Sequence, residues 1–147
     1  MTFTARPALV ALLALAACGP GPSGRALRHT LEQGRTYTTW LYGQEYAKLW
    51  ERLTPEMRNV FGSAADLGAF AGRAVSQLGR EQGTVDERVA ETRPERVYAR
   101  TASFVGSPRP MVIEWTLTPS GAVSGLAVRP ADSTAADQKA KGPEPPQ

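Results

Sequence analysis

Glu114, Tyr98 and Tyr46 are the candidates in this sequence for proton-transfer chemistry. Isomerase-type chemistry needs a carboxylate base and an oxyanion donor, such as a tyrosine, held in an apolar cavity. Glu114 would be the base, and Tyr98 or Tyr46 the donor. Glu114, however, alternates out of phase with Met111, Ile113 and Trp115, which puts it on the opposite face of a strand from the apolar set. The alternation favours an exposed Glu114 paired with Arg100, and no catalytic residue is assigned. His29 is the only histidine. It lies between Arg28 and Thr30 on the polar side of a helix, with no second metal-ligating partner, so it reads as a solvated residue and no metal or cofactor is called for.

Cys18 is the only cysteine. It follows Ala8 to Ala17, an apolar run preceded by Arg6. Ten residues of helix rise about 15 Å, half of what a bilayer core requires, so residues 1–17 read as a secretory signal peptide instead of a permanent span. Leu15-Ala16-Ala17-Cys18 has the form of a bacterial lipobox: cleavage between Ala17 and Cys18 leaves an acylated cysteine as the first mature residue. A lone cysteine in an exported chain makes no internal disulfide, and lipidation accounts for it. Residues 18–25 read as the lipidated cysteine and a flexible Gly/Pro/Ser tether.

The chain has 147 residues, a formal net charge of +3, 41% hydrophobic and 21% charged residues. That is an ordinary globular composition with room for one domain plus tails. Basic and acidic residues are interspersed, which is no nucleic-acid footprint.

The elements expected to position these residues change character half-way along. Tyr37 to Arg58 is the densest aromatic stretch, and Tyr46, Leu49, Trp50 and Leu53 repeat at i, i+3, i+4 and i+7, one stripe of a helix. Helices are expected from Ala26 to Tyr42, with Gly34 inside the helix, and from Glu45 to Leu53. A third is capped by Thr54 with Pro55 at its first position and ends near Gly62. A fourth runs from Ala64 to Leu78 between Ser63 and Gly79. Strands are expected at Val85 to Thr92, Arg96 to Val105, Met111 to Thr118 and Ala122 to Val128. Helices followed by strands indicate an α+β fold, with the helices on one face of a four-stranded, curved antiparallel sheet. Domain 26–130 is followed by a polar tail, 131–147, that reads as disordered.

Two segments carry a resemblance. GRTYTTWLYGQEYAKLWERLTPEMR, from Gly34 to Arg58, resembles the helical start of the nuclear transport factor 2-like, cone-shaped α+β superfamily. PMVIEWTLTPSGAVSGLAVRP resembles the last hairpin of its small bacterial branch, found in lipoproteins or fused ahead of serine hydrolases, through Gly121, Val123, Gly125, Leu126 and Pro130. The resemblance implies a cone whose function is set by its site and not by its fold. Trp40, Tyr46, Trp50, Tyr98, Phe104 and Trp115 are the candidate lining of an apolar pocket in such a cone, with plain core packing as the alternative.

The expected function is that of a membrane-anchored lipoprotein of the bacterial cell envelope with a non-catalytic module. It would bind a small apolar ligand, or pair with a second copy or an envelope protein through an outer sheet face that includes Val97, Val105 and Val112. The alternatives are a small isomerase or hydrolase-like enzyme using a pocket carboxylate, or an accessory to a separately encoded cell-wall hydrolase.

Overall fold

The computed structural model describes residues 22–132. The expected signal peptide, Ala17 and Cys18, the tether up to Gly21 and the tail from Ser133 onward lie outside the described residues. Four helices precede four strands: α1 (Pro22–Tyr42), α2 (Tyr46–Arg52), α3 (Pro55–Phe61), α4 (Ala64–Leu78), β1 (Glu81–Thr92), β2 (Glu95–Phe104), β3 (Met111–Leu117) and β4 (Val123–Pro130). The strands form one antiparallel meander in the order β1-β2-β3-β4, curved and unclosed, with the helices N-terminal to it. This is the α+β arrangement that the order of elements implied, and it is consistent with the cone that the resemblance implied.

Pro22 to Arg25 belong to α1 and not to a tether. The buried stripe of α1 is Thr30, Gly34, Tyr37, Thr38 and Leu41. Thr30, Thr36, Thr38 and Thr39 each donate their hydroxyl to the carbonyl four residues back, which lets polar side chains sit on a helix without unmade bonds.

The expected caps are in place. The Thr54 hydroxyl accepts from Met57 N–H at 3.3 Å, and the Ser63 hydroxyl accepts from Asp66 N–H at 3.1 Å while donating to the Asp66 carboxylate at 2.6 Å. Gly62 and Gly79 close α3 and α4 at φ 84° and 67°, a backbone region that glycine enters at little cost.

The inner face of the sheet carries Tyr98, Ala102 and Phe104 from β2 and Ile113, Trp115 and Leu117 from β3, all buried. Trp115 is opposite Tyr98 in the register, and its ring meets Tyr37 of α1 edge-on at 5.8 Å. The outer face carries Ala99, Glu114 and Ala127 in one row and Thr101, Val112 and Arg129 in the next. Glu114 is largely buried and pairs with Arg129 at 2.7 Å, not with Arg100 as its alternation suggested. Strand register decides this: Arg100 is opposite Ile113 and faces inward, whereas Arg129 shares the face of Glu114. At the end of the sheet, Ala131 N–H donates to Pro110 and Arg109 pairs with Asp132, so these two residues of the expected tail are tied to the domain.

Candidate functional site

Polar side chains converge between α1 and the start of the sheet. Arg35, Thr38, Thr39 and Tyr42 fall at i, i+3, i+4 and i+7, one face of α1. Together with Glu81 of β1 and Arg100 of β2 they line a recess of about 460 Å³ that opens to solvent. Glu87 and Tyr98 are joined to these residues through the bonds described next.

Two irregularities in β1 make the cluster. Glu81 is opposite Phe104 and Glu87 opposite Arg100, so six steps along β1 match four along β2, with shifts between Glu81 and Gly83 and between Thr84 and Asp86. Bulges of this kind shorten and twist a strand. Here they bring two carboxylates within reach of one guanidinium. Arg100 Nη2 and Nε donate to the two oxygens of Glu81 at 2.6 and 3.1 Å, and Nη1 donates to Glu87 at 3.3 Å. Arg35 Nη2 and Nε donate to the other oxygen of Glu87 at 2.6 and 3.0 Å. Tyr42 donates its hydroxyl to Glu81 at 2.8 Å, Thr84 donates to the same carboxylate at 3.1 Å, and Tyr98 donates a short bond to Glu87.

The bonds shift each titration in a definite direction. Burial works to raise Glu81, but the bonds from Arg100, Tyr42 and Thr84 outweigh it and hold the carboxyl below its ordinary range. Glu87 is lowered chiefly by the bond from Arg35. Burial and then the bond to Glu87 push the Tyr98 phenol up to about 12, and burial followed by the bond to Glu81 raises Tyr42. Arg100 is raised first by its bond to Glu81. The carboxylates are therefore ionised and the phenols neutral across the physiological range, and the two arginines balance the two acids.

The aromatic residues expected to line a pocket are distributed through the core. Tyr98, Phe104 and Trp115 are at most 2% exposed. Trp115 donates its indole N–H to Thr38 at 2.9 Å, and Phe104 meets Tyr42 edge-on at 6.1 Å. Tyr46 packs over Gly68 and Gly72 of α4, with its hydroxyl buried and without a partner. Trp50 lies beneath the Arg58 guanidinium, and Trp40 is half-buried between Tyr37 and Lys48. None of the six lines the small apolar cavity of about 20 Å³ under α4, whose walls include Leu41, Ala71, Leu78 and Ile113. That space holds about one water molecule.

His29 is exposed, on an open groove with Glu32, Trp40 and Arg52. Among the described residues no group of three or more His, Cys, Asp or Glu is placed to hold a metal ion. Of the residues that make the recess, sequence reasoning singled out Tyr98 and named Arg100, but not Arg35, Glu81 or Glu87. The available signal was the position of two acids ahead of a strand that carries an arginine among apolar residues. Reading it requires the register. No family model, curated protein or solved structure matches the chain.

Proposed function

We propose that the chain is a lipoprotein of a bacterial cell envelope, exported by its N-terminal signal and held on the membrane through acylated Cys18. Its α+β cone, of the nuclear transport factor 2-like kind, is a non-catalytic binding module, and the ligand seat is the recess beside Arg35 and Arg100. The observation that carries this reading is the commitment of both carboxylates. Glu81 is held by Arg100, Tyr42 and Thr84, and Glu87 by Arg35, Arg100 and Tyr98. A general base needs a lone pair aimed at substrate and a pKa near the working pH. These two acids are pulled the other way. Among the described residues Arg35 donates two N–H groups and Arg100 three to these acids, and the Arg35 side chain stays more than half exposed to a ligand's acceptor oxygens.

The ligand supported by this geometry is a small polar molecule with acceptor oxygens, in place of the apolar one expected from the aromatic set. Full-length protein extracted from bacterial membranes and weighed by native mass spectrometry should carry acyl mass on Cys18 and a small polar adduct. Thr39→Trp, which fills the mouth of the recess, should displace that adduct. Cys18→Ser protein that stays in the membrane fraction would overturn the anchor. Protein that carries no adduct, or one that Thr39→Trp leaves in place, would overturn the seat.

A further inference from the structure

The start of α1 bears on how the domain sits on a membrane, given the proposed acylation of Cys18. Only four residue steps separate Cys18 from Pro22, the first described residue of the helix. Whatever their path, four steps span at most about 14 Å. The N-terminal end of α1 is therefore the pole next to the bilayer. The tip of the β1–β2 hairpin is at the same pole: Glu91, Arg93, Pro94, Glu95 and Arg96 share an open cleft with Ser23 and Ala26 of α1. The recess is remote from it, because α1 rises about 1.5 Å per residue and puts Arg35 about 20 Å and Tyr42 about 30 Å along the helix.

Among the described residues the charge at this pole is mainly basic, four arginines against Glu91 and Glu95. Arg25, Arg28 and Arg93 are exposed and Arg96 is half-buried. Of the two acids of the hairpin, Glu95 is engaged by the Ser124 hydroxyl at 2.6 Å, and Glu91 stands 3.7 Å from Arg93. We propose that the first two turns of α1 and the β1–β2 tip dock on anionic phospholipid headgroups through Arg25, Arg28, Arg93 and Arg96, and so present the recess away from the membrane. An arginine close to an anionic membrane surface strengthens binding by about fivefold. The acyl chains supply retention, and the arginines supply orientation.

The test uses full-length acylated protein in vesicles of phosphatidylcholine with or without phosphatidylglycerol. A nitroxide is placed at Thr92→Cys, beside the tip, or at Val105→Cys, just past the far end of β2 and about 33 Å from Glu95. With phosphatidylglycerol present, a nickel-chelating lipid should relax the label at 92 strongly and the label at 105 weakly. That contrast should shrink in phosphatidylcholine alone, and by about fivefold in docking strength for each arginine changed to glutamine. Equal relaxation at both sites of acylated protein, or a contrast indifferent to lipid charge and to the arginines, overturns the docking and leaves the anchor standing. Unmodified Cys18 by mass overturns the anchor, and the docking with it.

Discussion

Gly34 lies directly beneath the ring of Tyr98: a Cβ at position 34 would fall inside the Tyr98 side chain. Helix propensity alone predicts that Gly34→Ala stabilises an interior helical position by about 1 kcal/mol. The opposite is expected here. Tyr98 is fully buried and its hydroxyl is tied to Glu87, so the ring has no room to retreat. Overpacking should destabilise the domain by about 1–3 kcal/mol. Urea unfolding decides the sign, and a more stable variant would show that the ring moves freely.

Thr38 joins α1 to the sheet through one atom. Its hydroxyl donates to Gly34 at 2.8 Å and accepts from Trp115 Nε1 at 2.9 Å, with both residues buried. Thr38→Val keeps the volume and leaves the indole N–H without an acceptor. A loss of about 1–3 kcal/mol is expected, with most of it restored in Thr38→Ser. Equal unfolding midpoints for the valine and serine variants would show that the bond contributes nothing.

The outer face yields a different outcome. Arg129 is 8% exposed and takes a two-pronged bond to Glu114, at 2.7 and 3.1 Å. Glu114→Gln keeps the shape and removes the charge that Arg129 was buried against, which should destabilise the domain by about 1–3 kcal/mol. Because Glu114 is on the face opposite the recess, adduct retention in native mass spectrometry should not change. A variant of normal stability that loses the adduct would contradict this assignment.

The contrast between these positions explains what could be read in advance. Thr54-Pro55, Ser63 and the two closing glycines mark helix ends by local chemistry, and the observed α3 and α4 begin at the positions those residues indicate. β3 was legible because Met111, Ile113, Trp115 and Leu117 alternate with more polar neighbours, and all four pack in the core. Glu81, Thr84 and Glu87 carry the inward positions of β1, so hydrophobic alternation began too late and the expected strand started at Val85 instead of Glu81. The recess was hidden for the same reason: its polarity is satisfied across the fold, by Arg35 fifty-two residues away from Glu87, and no local pattern encodes that distance. Likewise nothing near Gly34 announces the ring that occupies its missing side chain.

The same network fixes how stability should follow pH. Glu81 and Glu87 titrate below their ordinary value of 4.5 in the folded chain. As pH falls past that value the unfolded chain takes up the protons first, so the stability contributed by the two acids is present above it and is lost through the folded values below it. Tyr98 behaves in the mirror sense. Its phenol, pushed up from 10.0 to about 12, contributes stability that is present below pH 10 and lost as pH rises towards 12. The thermal midpoint should therefore stay flat between the two limbs. Glu87→Gln should reduce both limbs without abolishing either, because it removes one of the two titrating acids and also the charge that, after burial, adds to the rise of the Tyr98 phenol. Midpoints recorded from pH 3 to pH 11 test both halves. An acid limb unchanged in Glu87→Gln would place the acid sensitivity elsewhere in the chain, and an unchanged alkaline limb would separate Tyr98 from the network.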